Sequence, residues 1–195
     1  MTRLLVRIKD NLTSAKILFS NRFRGDTGND AMLSVDGTDF LMAMSHKKAF
    51  YSFKFKKMAL RYEVGINIKT GDICWWHGPF PPGLYNDDMI FKDALLKSLG
   101  KGERVEADSG YKPSAPVANI PEYTVPSRRY MAAKVRSRHK TCNRRFKQFK
   151  ILKEAYRHDI LDHQAVFSAV VVMTQLAFEN GDPLFPTEYD DDGVH

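Results

Sequence analysis

Apolar and polar side chains alternate along the middle of the chain with the two-residue period of a half-buried β-strand. Thr70-Gly71-Asp72 separates two such runs and supplies a turn, so residues 61–77 are predicted to form a β-hairpin. Two shorter apolar runs, 31–35 and 104–107, are also predicted to be strands, and an aspartate follows each of them. The alternating apolar positions of the hairpin are Tyr62, Val64, Ile66 and Ile68 in its first run, and Ile73 and Trp75 in its second.

Steps of three and four residues between apolar positions predict the helices. An aspartate at position 87 or 88 can cap a helix that runs to about Leu99. Four prolines exclude a continuous helix over residues 112–127, which are predicted to form a long loop. One long helix is expected over residues 131–156. A last, largely buried helix is expected between an N-cap at Asp162 and a stop at Gly181.

The order strand, hairpin, helix, strand, helix, helix predicts an α/β fold in which helices cover a mixed sheet. The chain has 195 residues, which is enough for one domain with a sizeable core and short for two. We expect an irregular N-terminal remnant at residues 1–30, one domain at residues 31–185, and an acidic, disordered tail at residues 186–195.

The cysteines and the apolar runs favour a soluble intracellular protein without a membrane partner. Cys74 and Cys142 lack the spacing of zinc ligands and are expected to be reduced thiols. The longest apolar run, 165–177, contains polar residues and is shorter than the roughly 20 residues that span a bilayer. The first ten residues mix basic side chains with short apolar pairs, which is not the pattern of a signal peptide.

Positive charge is concentrated in one segment of a chain whose net charge is +7. Residues 128–157 contain twelve Lys and Arg residues and a single acid, Glu154. A solvated helix face is the alternative interpretation, but such faces usually alternate in sign, so the segment favours a polyanion such as nucleic acid. A second group of cations near His46, spread over residues 47–61, fits a second strip along DNA and solvated charge equally well.

Two aspartates occupy positions that suit metal ligands. Asp36 follows the apolar run 31–35, and Asp108 follows the run 104–107. A carboxylate at the point where a buried strand ends is held rigidly at the edge of a sheet, and Mg²⁺ takes one or two carboxylates together with waters and phosphate oxygens. Two such ions can support cleavage of a phosphodiester. The alternative is that both aspartates simply begin turns, and spacing alone does not decide between the two interpretations.

Five short segments, taken in order, carry a family resemblance. Each motif is weak alone, but their order and spacing over residues 31–185 resemble the DDE superfamily endonuclease domain of PIF/Harbinger-type and related bacterial insertion-sequence transposases. The segments are Val35-Asp36-Gly37-Thr38, Tyr62-Glu63-Val64, Gly78-Pro79-Phe80 with Asn86-Asp87 and Ile90-Phe91, Ala107-Asp108-Ser109-Gly110-Tyr111, and Arg138 to Lys147.

The resemblance implies a ribonuclease H-like fold and an Asp, Asp, Glu triad that binds two divalent ions, Mg²⁺ or Mn²⁺. It assigns Asp36 and Asp108 as catalytic and metal-binding residues and Asp87 as an accessory carboxylate. Lys140 stands where the resemblance places the glutamate. Because an ammonium cannot ligate a cation and repels one held nearby, DNA cleavage and strand transfer are expected to be impaired. The alternative is a catalytically inactive, transposase-derived DNA-binding protein.

The basic segment is expected to hold the DNA backbone while a water or a DNA 3′-hydroxyl attacks the phosphodiester. Residues before Asp36 lack the helix-turn-helix pattern of full-length relatives, so recognition of a DNA sequence is expected to be missing or supplied elsewhere. The expected partners besides DNA are a second copy of the chain, in a homo-oligomer, or a separate DNA-binding protein. A nuclear location is expected in a eukaryote and a cytoplasmic one otherwise. The residues expected to contact DNA are Arg136, Arg138, Arg144, Arg145 and Lys147.

A third interpretation is an unrelated single-domain RNA-binding protein. It predicts aromatic recognition motifs that the sequence does not contain. Trp75 and Trp76 fit packing of the hairpin better than a platform for stacking bases, so RNA binding through them is not expected.

Overall fold

One mixed sheet organises the molecule, and the computed structural model describes residues 16–25, 31–43 and 47–187 of the chain. Strand order is β2-β3-β1-β5-β6, and β4 pairs with β3. The β1–β5 and β5–β6 pairs are parallel, whereas β3 is antiparallel to β1, β2 and β4. The strands are β1 (Ala31–Leu41), β2 (Tyr51–Ser52), β3 (Lys57–Asn67), β4 (Ile73–Phe80), β5 (Arg104–Glu106) and β6 (Ala118–Asn119).

Helices pack on both faces of the sheet, which confirms the predicted α/β class. Successive side chains of a strand point to opposite faces, so β1 supplies both cores. Its Leu33 packs with Phe91 beneath α1 and α2, and its Phe40 packs with Phe146 and Phe167 beneath α3 and α5. The helices are α1 (Asp87–Asp93), α2 (Leu95–Ser98), α3 (Arg129–Phe146), α4 (Lys150–Lys153) and α5 (Ile160–Glu179).

Strand β1 is longer than predicted. The apolar run was expected to end at Asp36, but the strand continues to Leu41 and stays paired with β3 throughout. The polar residue Asp39 lies only 3% exposed inside this extension, where Arg61 of β3 neutralises it through an ion pair. A buried charge is tolerated in a strand when a partner lies opposite it, and that partner is distant in sequence.

Three helix predictions were wrong in their boundaries. The helix expected over residues 131–156 ends at Phe146, and a separate short helix, α4, follows it. The helix expected to run from residue 87 to Leu99 breaks at Ala94, and its N-cap is Asn86, whose side chain accepts a hydrogen bond from a backbone N–H. The last helix begins after Asp159 rather than Asp162. The predicted loop 112–127 also contains 3₁₀ turns and strand β6.

Helix α5 is the one helix in the described part of the chain that is long and apolar enough to cross a membrane. Half of its apolar stretch is buried inside the protein, and Phe167 and Val171 lie in the core. A helix that is apolar on most sides is also typical of the interior of a soluble α/β protein. Both cysteines are free and buried.

Some predictions lie outside the described residues. They concern most of the N-terminal remnant, His46 of the second basic group, and residues 188–195 of the acidic tail.

Candidate active site

The parallel pairing of β1 with β5 brings Asp36 and Asp108 together. Ser34 pairs with Glu106, and each aspartate lies two residues further along the chain, Asp36 still within β1 and Asp108 just after the end of β5. Because parallel neighbours run in the same direction, positions equally far beyond a paired residue lie at the same edge of the sheet. Both aspartates line one cleft between this edge and helix α3.

The cleft has a volume of about 260 Å³. Burial and then the nearby Asp108 carboxylate raise the pKa of the Asp36 carboxyl to about 7, while the ammonium of Lys54 opposes the rise. A buried carboxyl group beside a second one favours any positive charge that enters the site. The residues that line the cleft are Val35, Asp36, Asp108, Ala133, Arg136, Ser137, His139 and Lys140.

Asp87, at the start of α1, adds a third carboxylate beside Asp36 and Asp108. We call these three residues the acidic edge. A Cβ at position 37 would overlap the Asp87 carboxylate, and a Cβ at position 110 would lie 2.9 Å from Asp108 Oδ1 and 3.3 Å from Asp87 Oδ2. The glycines at positions 37 and 110 therefore allow the carboxylates to approach the backbone. Burial raises the pKa of Asp87, Arg61 opposes this, and Asp108 adds to the rise. The accessory role of Asp87 stays a prediction.

Arg61 connects this acidic edge to the rest of the sheet. Its Nε and Nη2 donate to the two carboxylate oxygens of Asp39 at 2.7 and 3.0 Å, and its Nη1 lies 3.3 Å from Asp87 Oδ1. The hydroxyl of Ser52 also donates to Asp39, at 2.6 Å. The sequence placed Arg61 only in the second basic group, as a contact to DNA or as solvated charge, and Asp39 was not predicted to have a role. They face each other in the β1–β3 register, so a paired-strand alignment of opposite charges would have found them.

Glu63 and Tyr111 are buried polar residues that sequence analysis also missed. Glu63 is 1% exposed and accepts a hydrogen bond from Trp75 Nε1 at 3.0 Å. Burial raises its pKa to about 8, the Trp75 bond lowers it, and Asp87 raises it. Burial also raises the pKa of Tyr111, and the charges of Glu63, Asp87, Asp36 and Asp108 raise it further. Both buried groups therefore lie within electrostatic range of the acidic edge.

Helix α3 supplies a line of cations, here called the basic row, which consists of Arg136, Lys140, Arg144 and Lys147. Steps of four, four and three residues place these side chains on one side of the helix. Arg136 and Lys140 line the cleft, and Arg136 Nη1 lies 3.5 Å from the Glu106 carboxylate. At the other end of the row, the Lys147 ammonium lies 5.1 Å from the ring of Phe55.

The prediction that Arg138 contacts DNA is wrong. Its side chain is 1% exposed, and the guanidinium donates to the carbonyls of Ile68 at 2.6 Å and Phe185 at 2.8 Å. Burial lowers its pKa to about 10, so the side chain stays charged at neutral pH inside the protein. Arg145 is partly exposed but forms an ion pair with Asp182.

His139 and Trp76 pack against neighbouring elements of the fold. His139 is 2% exposed, its Nε2 lies 2.9 Å from the Ser34 hydroxyl, and burial lowers its pKa to about 4. Trp76 packs against Phe167, with ring centroids 5.6 Å apart, as the packing interpretation of the hairpin predicts.

The acidic edge has the donor chemistry of a magnesium site but not a complete ligand set. Among the described residues, no group of three or more His, Cys, Asp or Glu side chains is arranged to hold one metal ion. Asp36 and Asp108 provide two carboxylates, which is as many as Mg²⁺ commonly takes from a protein when waters and phosphate oxygens complete its shell. The ammonium of Lys140 lines the same cleft and cannot be a ligand.

A mixed sheet flanked by helices, with one carboxylate in β1 and a second just after the adjacent parallel strand β5, fits the ribonuclease H-like fold. Residues 35–175, well over half of the chain, match the family described as DDE superfamily endonuclease. The chain therefore belongs to this family, which indicates a transposase-derived nuclease domain that binds DNA. Members of the superfamily generally use divalent metal ions. Neither a curated protein nor a solved structure matches the chain significantly.

Proposed function

We propose that this chain is a DNA-binding domain derived from a PIF/Harbinger-type transposase, in which metal-dependent cleavage and strand transfer are impaired by Lys140. The observation that carries the proposal is the presence of Lys140 in the same cleft as Asp36 and Asp108. The proposal takes residues 31–185 as the functional domain.

The acidic edge determines what the site can do with a metal. Asp36 and Asp108 are the side chains that would hold divalent cations, and Asp87 would assist from the start of α1. When bound, the cations supply an activated nucleophile and stabilise the leaving oxygen of a phosphodiester. In this chain the third acidic position carries an ammonium, which repels a cation held by the two aspartates and lowers its occupancy.

A lysine instead of a glutamate at position 140 makes the cleft better suited to bind a phosphate group. Lys140 and Arg136 line the cleft beside the two aspartates. Both cations can donate charge-assisted hydrogen bonds to phosphate oxygens, and Arg144 and Lys147 continue the basic row along α3. We therefore infer that the protein binds the DNA backbone in the absence of metal and cleaves it slowly when metal is added.

A charge reversal at position 140 tests the proposal. We expect the purified protein to show little Mn²⁺-dependent nicking of plasmid DNA, and Lys140→Glu to show at least about tenfold tighter Mn²⁺ binding and clear nicking, because a repulsive charge becomes a ligand. Mn²⁺ binding is measured by calorimetry and nicking by gel electrophoresis. Lys134→Glu is the matched control, since it makes the same charge change on α3 outside the residues that line the cleft.

The outcomes separate the two candidate functions. Strong nicking by the unmodified protein that is abolished by Asp108→Ala would refute the impairment. A Lys140→Glu variant that binds Mn²⁺ and DNA but does not nick would favour the alternative, a DNA-binding protein that has lost catalysis altogether. Equal gains in Lys134→Glu and Lys140→Glu would show that only the net charge of the helix matters.

A further inference from the structure

A short hairpin beside the cleft carries an exposed aromatic side chain at its tip. Strand β2 pairs with the beginning of β3, with Tyr51 opposite Met58 and Ser52 opposite Lys57, so that residues 53–56 form the turn. Phe53 in this turn is 78% exposed, more than any other aromatic side chain in the described ranges. The ring of Tyr51 stands perpendicular to it at a centroid distance of 5.3 Å. We call residues 51–57 the tip hairpin.

The tip hairpin is strongly basic. Between Asp39 and Glu63 the chain has six Lys and Arg residues and no acid. Lys54, Lys56 and Lys57 belong to the hairpin and are exposed. Lys56 has a φ of 53°, a left-handed conformation that glycine would adopt with less strain. The turn therefore presents a lysine at a position where the backbone disfavours one.

The tip hairpin lies next to the end of the basic row that Lys147 forms. The Lys147 ammonium at the end of the row lies 5.1 Å from the ring of Phe55, and the Lys54 ammonium lies 6.0 Å from the same ring. The charge of Lys54 also lowers the pKa values of Asp36 and Asp87, which places this lysine within electrostatic range of the cleft. A DNA backbone that follows the basic row from the cleft would meet the hairpin next.

The base of the hairpin is fixed to the site. Ser52 is fully buried and donates to Asp39, which is held by Arg61, and Arg61 in turn contacts Asp87. The backbone N–H of Phe55 donates to the Ser52 hydroxyl at 3.4 Å. A hairpin anchored in this way loses little conformational entropy when it binds a ligand.

We propose that the tip hairpin binds an unpaired DNA strand beside the cleft, with Phe53 stacked on a base and Lys54 and Lys56 paired with phosphates. The inference rests on the proposed DNA binding and adds the strand form that is recognised. An aromatic ring reaches the face of a base only when that base has left the duplex, and stacking tolerates any base. The core of a protein–protein interface is depleted in lysine, so three lysines around Phe53 disfavour a protein partner.

Matched oligonucleotides test the inference without catalysis. Fluorescence anisotropy in EDTA would compare a single-stranded oligonucleotide with a duplex of the same sequence. Phe53→Ala is expected to weaken single-strand binding about tenfold while duplex binding changes little, and Phe53→Trp is expected to retain it. Leu161→Ala is the control, because Leu161 is an apolar side chain on α5 that is 84% exposed. If 2-aminopurine replaces one base of the strand, the unmodified protein is expected to quench its fluorescence by stacking, and Phe53→Ala is expected to remove this quenching.

Each result bears on a different claim. If the unmodified protein binds neither form of DNA, the proposed function fails together with this inference. If it binds DNA and Phe53→Ala behaves like Leu161→Ala, the inference alone is overturned. Equal weakening of both forms by Phe53→Ala also overturns it, because loss of stacking would spare the duplex.

Discussion

Helix α3 carries cations on two sides, and the two sides treat them in opposite ways. On the side that faces the interior, Arg138 is 1% exposed and its guanidinium is satisfied by backbone carbonyls. On the cleft side, Lys140 is exposed beside Asp36 and Asp108. These cations are two positions apart in the sequence, which corresponds to about 200° around a helix.

The difference shows that a run of positive charge does not by itself define a binding surface. Arg138 stabilises the fold by donating hydrogen bonds to three backbone carbonyls. They belong to Asn67 at the end of β3, to Ile68 and to Phe185 after α5. Lys140 makes no comparable contribution to the interior and is free to determine what the cleft binds. A guanidinium with several donors suits the first role, and a compact ammonium suits the second.

The largest expected effect lies on the interior side. Arg138→Ala removes the donors of buried carbonyl groups and is expected to lower the free energy of unfolding by at least about 3 kcal/mol. Arg144→Ala, the same change at an exposed position of the same helix, is expected to change it by less than about 0.5 kcal/mol. Urea denaturation measures both values. Similar losses in the two variants would mean that the two sides of α3 do not differ in the way the contacts indicate.

The second effect is a pH dependence that also comes from the interior side. Burial lowers the pKa of His139 to about 4, whereas an unfolded histidine titrates near 6.5. Between these values the unfolded chain binds a proton that the folded protein does not. The stability therefore falls as the pH falls from about 6.5 through about 4, by at most about 1.4 kcal/mol per pH unit.

His139→Gln isolates this contribution. His163, whose pKa burial also lowers to about 4, is present in both proteins and cancels in the difference. The free energies of unfolding of the variant and the unmodified protein are expected to converge or cross as the pH falls, because only the unmodified protein loses the His139 contribution. A difference that stays constant from neutral pH to pH 4 would contradict a neutral, buried His139.

Sequence patterns predicted the parts of this molecule that depend on local order. The hairpin of β3 and β4, the apolar runs before Asp36 and Asp108, and the mixed α/β class were visible because strand periodicity and chain order carry them. The structure also brings Asp36 and Asp108 to one cleft, as their positions after two strands led us to expect.

What the sequence did not reveal depends on pairing across the fold. The end of β1 was misplaced because Asp36-Gly37-Thr38 was taken as the end of the strand. The strand continues past it to Asp39, whose burial is explained by the ion pair with Arg61. Helix α3 was drawn too long because apolar spacing continues through Phe149 and Leu152, which lie beyond the helix end at Phe146. Arg138 was assigned to DNA because charge patterns do not show which cations meet buried carbonyls. The errors at β1 and at Arg138 concern contacts between residues far apart in the chain.

The smallest expected effect lies at the exposed end of the basic row, where two adjacent arginines differ in their surroundings. Arg144 is exposed, whereas Arg145 forms an ion pair with Asp182. Arg144→Ala is expected to weaken duplex binding a few-fold and to reduce the slope of log affinity against log salt by about one, because one phosphate contact is lost. Fluorescence anisotropy over a salt series measures both quantities.

Arg145→Ala is the matched control for Arg144→Ala. Its guanidinium already has a carboxylate partner, so its removal is expected to change the salt slope by less than the removal of Arg144. A larger change for Arg145→Ala would mean that the ion pair with Asp182 opens when DNA binds, and that the DNA follows a different side of α3 from the basic row. Equal and negligible changes would instead place the DNA away from this end of the helix, and would limit its contacts to the cleft residues Arg136 and Lys140.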